Sequence, residues 1–157
     1  AGTENIAGIV GTAEALRLTQ ESLDGDRARI GGLSRRLRDG ILRSVAQTTL
    51  NGHAEQRLAN NVSISFAGTD ARELLGDLDD AGIACSAGAA CGATTLEPSH
   101  VLLALGVPLE RAVSTLRFSV GHETTAADID YVLATLPAIV KRSRAKRRQD
   151  SSATAAG

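Results

Sequence analysis

The stretch Val62-Ser63-Ile64-Ser65-Phe66 decides the fold class of this chain. Its apolar side chains alternate with serines, and this period of two is typical of a β-strand that buries one face. The segment Leu116-Arg117-Phe118-Ser119-Val120 repeats the alternation and predicts another amphipathic strand. Between them, Ile83-Ala84-Cys85 predicts a short buried strand directly after a glycine. The chain is therefore expected to alternate strands with helices.

Apolar residues at helical spacing fill much of the chain before the first of these strands. They predict either one long helix or two helices, because Ser22–Asp26 contains glycine and aspartate, which weaken a helix interior. Asp70, followed three residues later by Glu73, resembles a capping box and predicts the start of another helix, which Gly82 ends.

The last third of the chain contains further helix signals. Gly106 closes one short helical segment and Pro108 opens another, ahead of the strand that begins at Leu116. Thr125 and Asp128 predict the cap of a last helix with a buried apolar stripe.

A basic cluster follows that stripe, with six lysines and arginines between positions 141 and 148. Ser, Ala and Thr without apolar periodicity then predict that residues 143–157 form a disordered tail behind a domain of residues 1–142. The cluster has two possible interpretations: a solvated helix end, or a docking patch for an acidic partner or nucleic acid.

Composition argues against two classes of partner. With 157 residues and 43% hydrophobic content, the chain has the size of one globular domain. Phe66, Phe118 and Tyr131 are its only aromatic residues, so nucleic-acid bases would have no stacking platform. The net charge of −1 gives no field that steers a polyanion, and no apolar run is long enough to cross a bilayer. We expect neither a nucleic-acid partner nor a membrane span.

The two cysteines, Cys85 and Cys91, lack Cys-x-x-Cys spacing, which argues against structural zinc and against a disulfide framework. His53, His100 and His122 are far apart in sequence and none pairs with a carboxylate at the spacing of metal ligands, so no metal is expected. Reduced thiols in a cytoplasmic protein are the simplest interpretation.

Cys91 lies in the segment Ser86–Ala93, whose other residues are all serine, alanine or glycine. Small residues give a loop wide backbone freedom, so this thiol would be displayed as a sulfur nucleophile on a mobile loop. The alternative is that Cys91 is packed as a small buried hydrophobe, as free cysteines usually are. Cys85 fits that packed environment better.

Arg117 occupies a polar position of its predicted strand, on the face opposite Leu116 and Phe118. A guanidinium on a rigid strand is suited to bidentate binding of a carboxylate. The competing interpretation is a surface arginine without a ligand.

Several stretches resemble the carboxy-terminal part of cysteine desulfurases, in the long-loop class that supplies iron–sulfur cluster assembly. The resemblance runs in one collinear order from residue 1 to about residue 142. The matching stretches are Gly2-Thr3-Glu4-Asn5-Ile6-Ala7-Gly8-Ile9-Val10-Gly11, Ser86-Ala87-Gly88-Ala89-Ala90-Cys91, Leu96-Glu97-Pro98-Ser99-His100-Val101-Leu102, Leu116-Arg117-Phe118-Ser119-Val120-Gly121 and Thr124-Thr125.

The resemblance implies the C-terminal small domain of a fold-type-I pyridoxal-phosphate (PLP) enzyme: an α/β unit with a small, mainly antiparallel sheet, covering helices and a long N-terminal helix. It implies that L-cysteine becomes L-alanine while the sulfur stays as a persulfide on Cys91, from which a sulfur-acceptor scaffold protein takes it. By the same matching, Arg117 binds the substrate carboxylate. Thr3 contacts the PLP phosphate of the neighbouring subunit in a homodimer, and Cys85 matches no catalytic position.

The resemblance also implies parts that these residues do not supply. The only lysines, Lys141 and Lys146, lie in the basic cluster, so the PLP lysine would belong to a larger N-terminal domain preceding Ala1. Ala1–Asn5 contains no initiator methionine or signal segment, and we expect a cut end there. The isolated chain is therefore expected to be inactive without that domain. A selenocysteine lyase domain and a non-catalytic persulfide carrier are the alternative functions.

Overall fold

Three antiparallel strands form a sheet that packs against helices in the computed structural model, which describes residues 2–87 and 98–154. The strands lie side by side in sequence order, with Ile64 of the central strand opposite Leu50 on one side and Leu116 on the other. This mixed architecture, with a small antiparallel sheet and a long first helix, confirms the predicted fold class. The elements are α1 (Ile6–Ser44), β1 (Thr48–Leu50), β2 (Asn61–Phe66), α2 (Ala71–Asp80), α3 (His100–Ala104), α4 (Leu109–Ala112), β3 (Thr115–Ser119) and α5 (Ala126–Thr154).

The core lies between one face of the sheet and helices α1, α2 and α5. The buried face predicted for β2 is confirmed, because Val62, Ile64 and Phe66 all point into the core and are buried. With only two phenylalanines in the chain, aliphatic side chains fill most of the core. Its helical members that are no more than 2% exposed are Leu37, Ile41, Ala71, Leu74, Leu78, Ile129, Leu136, Ile139 and Val140.

Helix α1 runs without a break through the stretch at which the sequence allows two helices. A glycine inside a helix costs roughly 1 kcal/mol relative to alanine, which a helix of 39 residues tolerates. The Asn5 side chain caps its first turn by accepting a hydrogen bond from the Gly8 amide at 3.0 Å. From Ile6 to Gly25 every residue is exposed, so this half of α1 projects from the rest of the fold. No helix within the described residues is both long and apolar enough to span a membrane.

The prediction of a strand at Ile83–Cys85 is wrong. Gly82 does end α2, with a φ of 74°, and the Ile83 amide bonds back to the Leu78 carbonyl at 2.8 Å, as in a Schellman cap. The chain then runs past the outer edge of β3 and pairs with it only at Ser86. One bridge leaves the segment outside the sheet, although Ile83 is buried as expected.

The disorder predicted from residue 143 onward is wrong as far as Thr154, because α5 continues to that residue. Ser143 is buried, and Arg144 donates hydrogen bonds to the carbonyls of Ala67 (2.9 Å) and Ala46 (2.8 Å). These arginine contacts hold the start of the supposed tail against the turns that precede β1 and follow β2. The sequence reveals neither carbonyl, since both lie more than seventy residues away.

Candidate functional site

Arg117 lies on β3 with its side chain exposed, between the buried side chains of Leu116 and Phe118. It therefore occupies the polar face of the sheet, as the sequence predicts. Its backbone forms both hydrogen bonds of the bridge to Ser86, at 2.7 Å from the Arg117 amide and 3.0 Å from the Ser86 amide. Within the described residues, the guanidinium has no hydrogen bond or ion pair, so its donors are available to a ligand.

The segment that contains Cys91 begins and ends beside Arg117. Residues 88–97 lie outside the described part of the chain, so the structure does not test the displayed position predicted for Cys91. Ser86, just before this segment, is bonded to the Arg117 backbone. Ser99, just after it, lines the same cleft as Arg117. The described residues on the two sides of this stretch are therefore a bonded neighbour of Arg117 and a lining residue of its cleft.

That cleft, which we call the Arg117 cleft, has a volume of about 440 Å³ and lies on the polar side of the sheet. Side chains from the loop after β1, from β2 and β3, and from the region of α3 surround it. Its lining residues are Asn51, Gly52, His53, Gln56, Arg57, Leu58, Asn61, Ser63, Ser99, Val101, Leu102, Leu105, Thr115 and Arg117.

A buried polar network supports the floor of the Arg117 cleft. The hydroxyls of Ser65 and Thr115 lie 2.8 Å apart across β2 and β3, and the Asn51 amide donates to Ser65 at 3.0 Å. Thr115 also donates to the Arg111 carbonyl at 2.7 Å. Because buried polar groups are costly unless they are paired, these bonds fix the strand two residues before Arg117.

The loop between β1 and β2 contributes residues whose place at this site the sequence does not indicate. His53 accepts hydrogen bonds at Nδ1 from the Glu55 amide (3.1 Å) and the Gln56 amide (2.9 Å), so the neutral ring carries its proton on Nε2. Arg57 donates to the carbonyls of Asn61 (3.2 Å) and Asn51 (3.3 Å). Their only sequence signal is a polar, glycine-containing turn after a short β-branched run.

Cys85 is half-buried and packs against the core, which confirms its predicted packed environment. Burial, followed by the negative charge of Asp79, raises the pKa of its thiol to about 11. Only the thiolate is a good nucleophile, so Cys85 is poorly suited to accept sulfur at neutral pH.

Thr3 is exposed and precedes α1, whose first buried residue is Gly31. At about 1.5 Å per residue, Thr3 stands roughly 40 Å along the helix axis from the position at which α1 meets the fold. Within this chain, Thr3 and Arg117 are therefore not brought together.

The Arg117 cleft is chemically suited to an anion. It contains two guanidinium groups, and among the described residues none that lines it is acidic. Arg57 is occupied by carbonyls, whereas Arg117 keeps its planar pair of donors, which match a carboxylate. The cleft contains no lysine, and Lys146 is paired with Glu73 at 2.8 Å. The described residues of this chain therefore do not by themselves fit a cofactor that is held through a lysine.

Comparison with known proteins identifies the family. A sequence model described as aminotransferase class-V matches residues 1–132. The chain belongs to the aminotransferase class-V family. The chain is 45% identical over 146 residues to cysteine desulfurase IscS of Clostridium botulinum, a match covering 92% of this chain and 37% of the relative. It is 44% identical over 144 residues to cysteine desulfurase IscS of Methanosarcina thermophila, covering 92% of this chain and 35% of that protein.

Solved structures agree with this placement. A NifS-like protein from Rickettsia africae superimposes with a TM-score of 0.77 at 28% identity, over 90% of this class-V chain and 36% of that structure. The resemblance to cysteine desulfurases drawn from the sequence is therefore confirmed at the level of the family. The chain spans little more than a third of the relatives' length.

Proposed function

We propose that this chain is the small domain of a PLP-dependent cysteine desulfurase that converts L-cysteine to L-alanine and keeps the sulfur as a persulfide on Cys91. In this reaction the substrate's carbon–sulfur bond breaks and a sulfur–sulfur bond forms at Cys91, so the products together contain every atom of the two reactants. The persulfide then supplies iron–sulfur cluster assembly through an acceptor protein. The relatives' names, cysteine desulfurase, support this assignment.

The observation that carries the proposal is the common anchoring of the Cys91 segment and Arg117. Ser86 is bonded to the Arg117 backbone, and Ser99 shares the Arg117 cleft. The segment of residues 87–98 joins these two anchors, and Cys91 lies near its middle. A tether anchored beside the substrate-binding residue can deliver a thiol to that cleft and later present it to an acceptor.

In this proposal Arg117 binds the α-carboxylate of L-cysteine. Its guanidinium is exposed, has no partner within the described residues and provides two parallel donors. The strand that holds it is fixed by β2 on one side and by Ser86 on the other. Binding the carboxylate here holds the substrate beside Ser86, from which the chain continues to Cys91. We expect Arg117→Lys to lower kcat/KM for L-cysteine roughly tenfold to hundredfold, because lysine is a point charge without the fork.

The PLP lysine and the residues around it belong, in this proposal, to the part of the relatives that this chain does not span. The chain alone should therefore keep no PLP colour through dialysis and release no alanine from L-cysteine. Retained PLP absorbance with alanine release by the chain alone would contradict the proposal.

The role of Cys91 is tested in the complete protein with a matched pair of variants, Cys91→Ser and Cys85→Ser. Persulfide is measured by mass spectrometry of the alkylated protein, and alanine is measured in parallel. We expect Cys91→Ser to abolish the persulfide and Cys85→Ser to leave it, because the Cys85 thiol is half-buried with a raised pKa. Equal loss in both variants would defeat the assignment. Persulfide that forms on the chain only when a separate desulfurase supplies it would favour a carrier over an enzyme.

A further inference from the structure

A second basic cleft lies between α1 and the loop that joins β1 to β2. Its volume is about 390 Å³, and four of its lining residues are arginines: Arg27, Arg35, Arg38 and Arg57. We call it the α1 arginine cleft. Three of these arginines come from α1, where spacings of eight and three residues return to nearly the same helical face.

Two of the four arginines keep their hydrogen-bonding capacity. Arg27 and Arg35 are exposed, and neither has a hydrogen bond or ion pair within the described residues. By contrast, Arg38 bonds to Asp39 at 2.7 Å and to the Ala54 carbonyl at 3.2 Å, and Arg57 bonds to backbone carbonyls. Glu55 is the acidic residue that lines the cleft. Positive charge is therefore in excess.

Ser34 points to a ligand independently of this charge. It lines the α1 arginine cleft and is 6% exposed, yet its hydroxyl oxygen is buried without a hydrogen-bond partner in the part of the chain that the structure describes. A serine inside a helix ordinarily bonds to the carbonyl four residues earlier, which would satisfy it. Native structures rarely leave such a group unpaired, so a bound partner is the natural explanation.

Gly31 provides the room beside this hydroxyl. A Cβ atom built on Gly31 would lie 3.3 Å from Nη1 of Arg35 and 3.7 Å from Cβ of Ala59. A side chain at this position would therefore crowd the Arg35 guanidinium and narrow the cleft. On the loop side of the cleft, burial lowers the pKa of Arg57, and the positive charge of Arg38 lowers it further.

We propose that the α1 arginine cleft binds a phosphate group, with Arg27, Arg35 and the Ser34 hydroxyl as its donors. Several cations held close together are best neutralised by a doubly charged anion, which favours phosphate over a carboxylate. Two guanidiniums and one hydroxyl also provide several donors, and the oxygens of a phosphate can accept more than one of them at once.

Inorganic phosphate is the probe, titrated into the full chain by calorimetry at constant ionic strength in chloride. We expect saturable binding of one phosphate per chain. Arg35→Gln should weaken it about tenfold, which corresponds to ~1.4 kcal/mol. Ser34→Ala should weaken it as well, and the backbone amides of Gly31 and Ser34 should shift in NMR spectra as phosphate is added.

The matched control is Arg43→Gln, which removes an exposed arginine from the last turn of the same helix, outside the cleft. This variant should bind phosphate as the unaltered chain does. An equal loss in Arg43→Gln and Arg35→Gln would mean only general charge attraction and would overturn the proposal. A response to acetate as strong as that to phosphate, or binding that survives the double variant Arg27→Gln/Arg35→Gln, would also overturn it.

Discussion

Replacing Thr115 by valine removes one hydroxyl from beneath the Arg117 cleft while leaving the shape of the side chain almost unchanged. Thr115 is 3% exposed, and its hydroxyl lies 2.8 Å from that of Ser65 and 2.7 Å from the Arg111 carbonyl. Valine suits a strand at least as well as threonine does, so backbone propensity does not oppose the change. The effect on stability therefore reports the hydrogen bonds.

The expected loss is about 2 kcal/mol in the free energy of unfolding. Each short bond contributes roughly 0.5–1.5 kcal/mol net, and two are removed. The loss stays below the cost of a fully unpaired group, because Ser65 keeps its bond to Asn51 at 3.0 Å. The Arg111 carbonyl likewise keeps the Ser114 hydroxyl at 3.1 Å.

Urea unfolding followed by far-ultraviolet circular dichroism measures this loss. Thr49→Val makes the same chemical change at an exposed position of β1 and should alter stability by less than about 0.5 kcal/mol. Combining Thr115→Val with Ser65→Ala completes a double-mutant cycle, in which we expect a coupling of about 1 kcal/mol.

Two results would refute this reasoning. One is a Thr115→Val variant as stable as Thr49→Val, since the network would then contribute nothing. The other is strict additivity between Thr115→Val and Ser65→Ala, because groups that share a hydrogen bond in a buried site do not behave independently.

Two further predictions concern the core and the half-buried thiol. Gly40→Ala should lower the free energy of unfolding by about 1 kcal/mol, because the new Cβ would lie 2.5 Å and 2.6 Å from the two methyl groups of Leu133. Gly32→Ala, whose new Cβ would have nothing within 4 Å, should raise the free energy of unfolding by up to about 1 kcal/mol. Equal urea midpoints for the two variants would contradict this prediction. In a Cys91→Ser background, Cys85 should react with iodoacetamide about a hundredfold more slowly at pH 8 than after unfolding, since its pKa is raised from 9.0 to about 11. The free energy of unfolding should fall as the pH rises from 9.0 to about 11, because the unfolded chain releases the thiol proton first. A free energy of unfolding that stays constant over this pH range would argue against burial of the thiol.

Local pattern was sufficient for much of the fold. The alternation at Val62–Phe66 predicts β2 with its buried face, and the caps at Gly82 and at Thr125 with Asp128 appear as expected, with the Asp128 amide donating to Thr125 at 3.2 Å. These features depend on residues within one turn or one strand, which is the range over which side-chain periodicity and capping act.

The errors all involve partners far away in the sequence. Ile83–Cys85 has the composition of a strand, but this part of the chain pairs with β3 only through the next residue, Ser86. The basic end of α5 has the composition of a disordered tail, but Arg144 donates hydrogen bonds to the carbonyls of Ala67 and Ala46. Composition describes the local chain and contains no information about such distant acceptors.

The amino-acid sequence by itself determined β2, β3, the helix caps, the family resemblance and the choice of Arg117, because each depends on residue types in a fixed local order. Only the tertiary structure decided that Ser86 pairs with the Arg117 backbone while Ser99 lines the Arg117 cleft. It also decided that, within the described residues, the Ser34 hydroxyl lies unpaired in a cleft lined by arginines. The reason is physical: clefts and unpaired groups arise where separate elements pack, and that packing is set by the shape of the whole core.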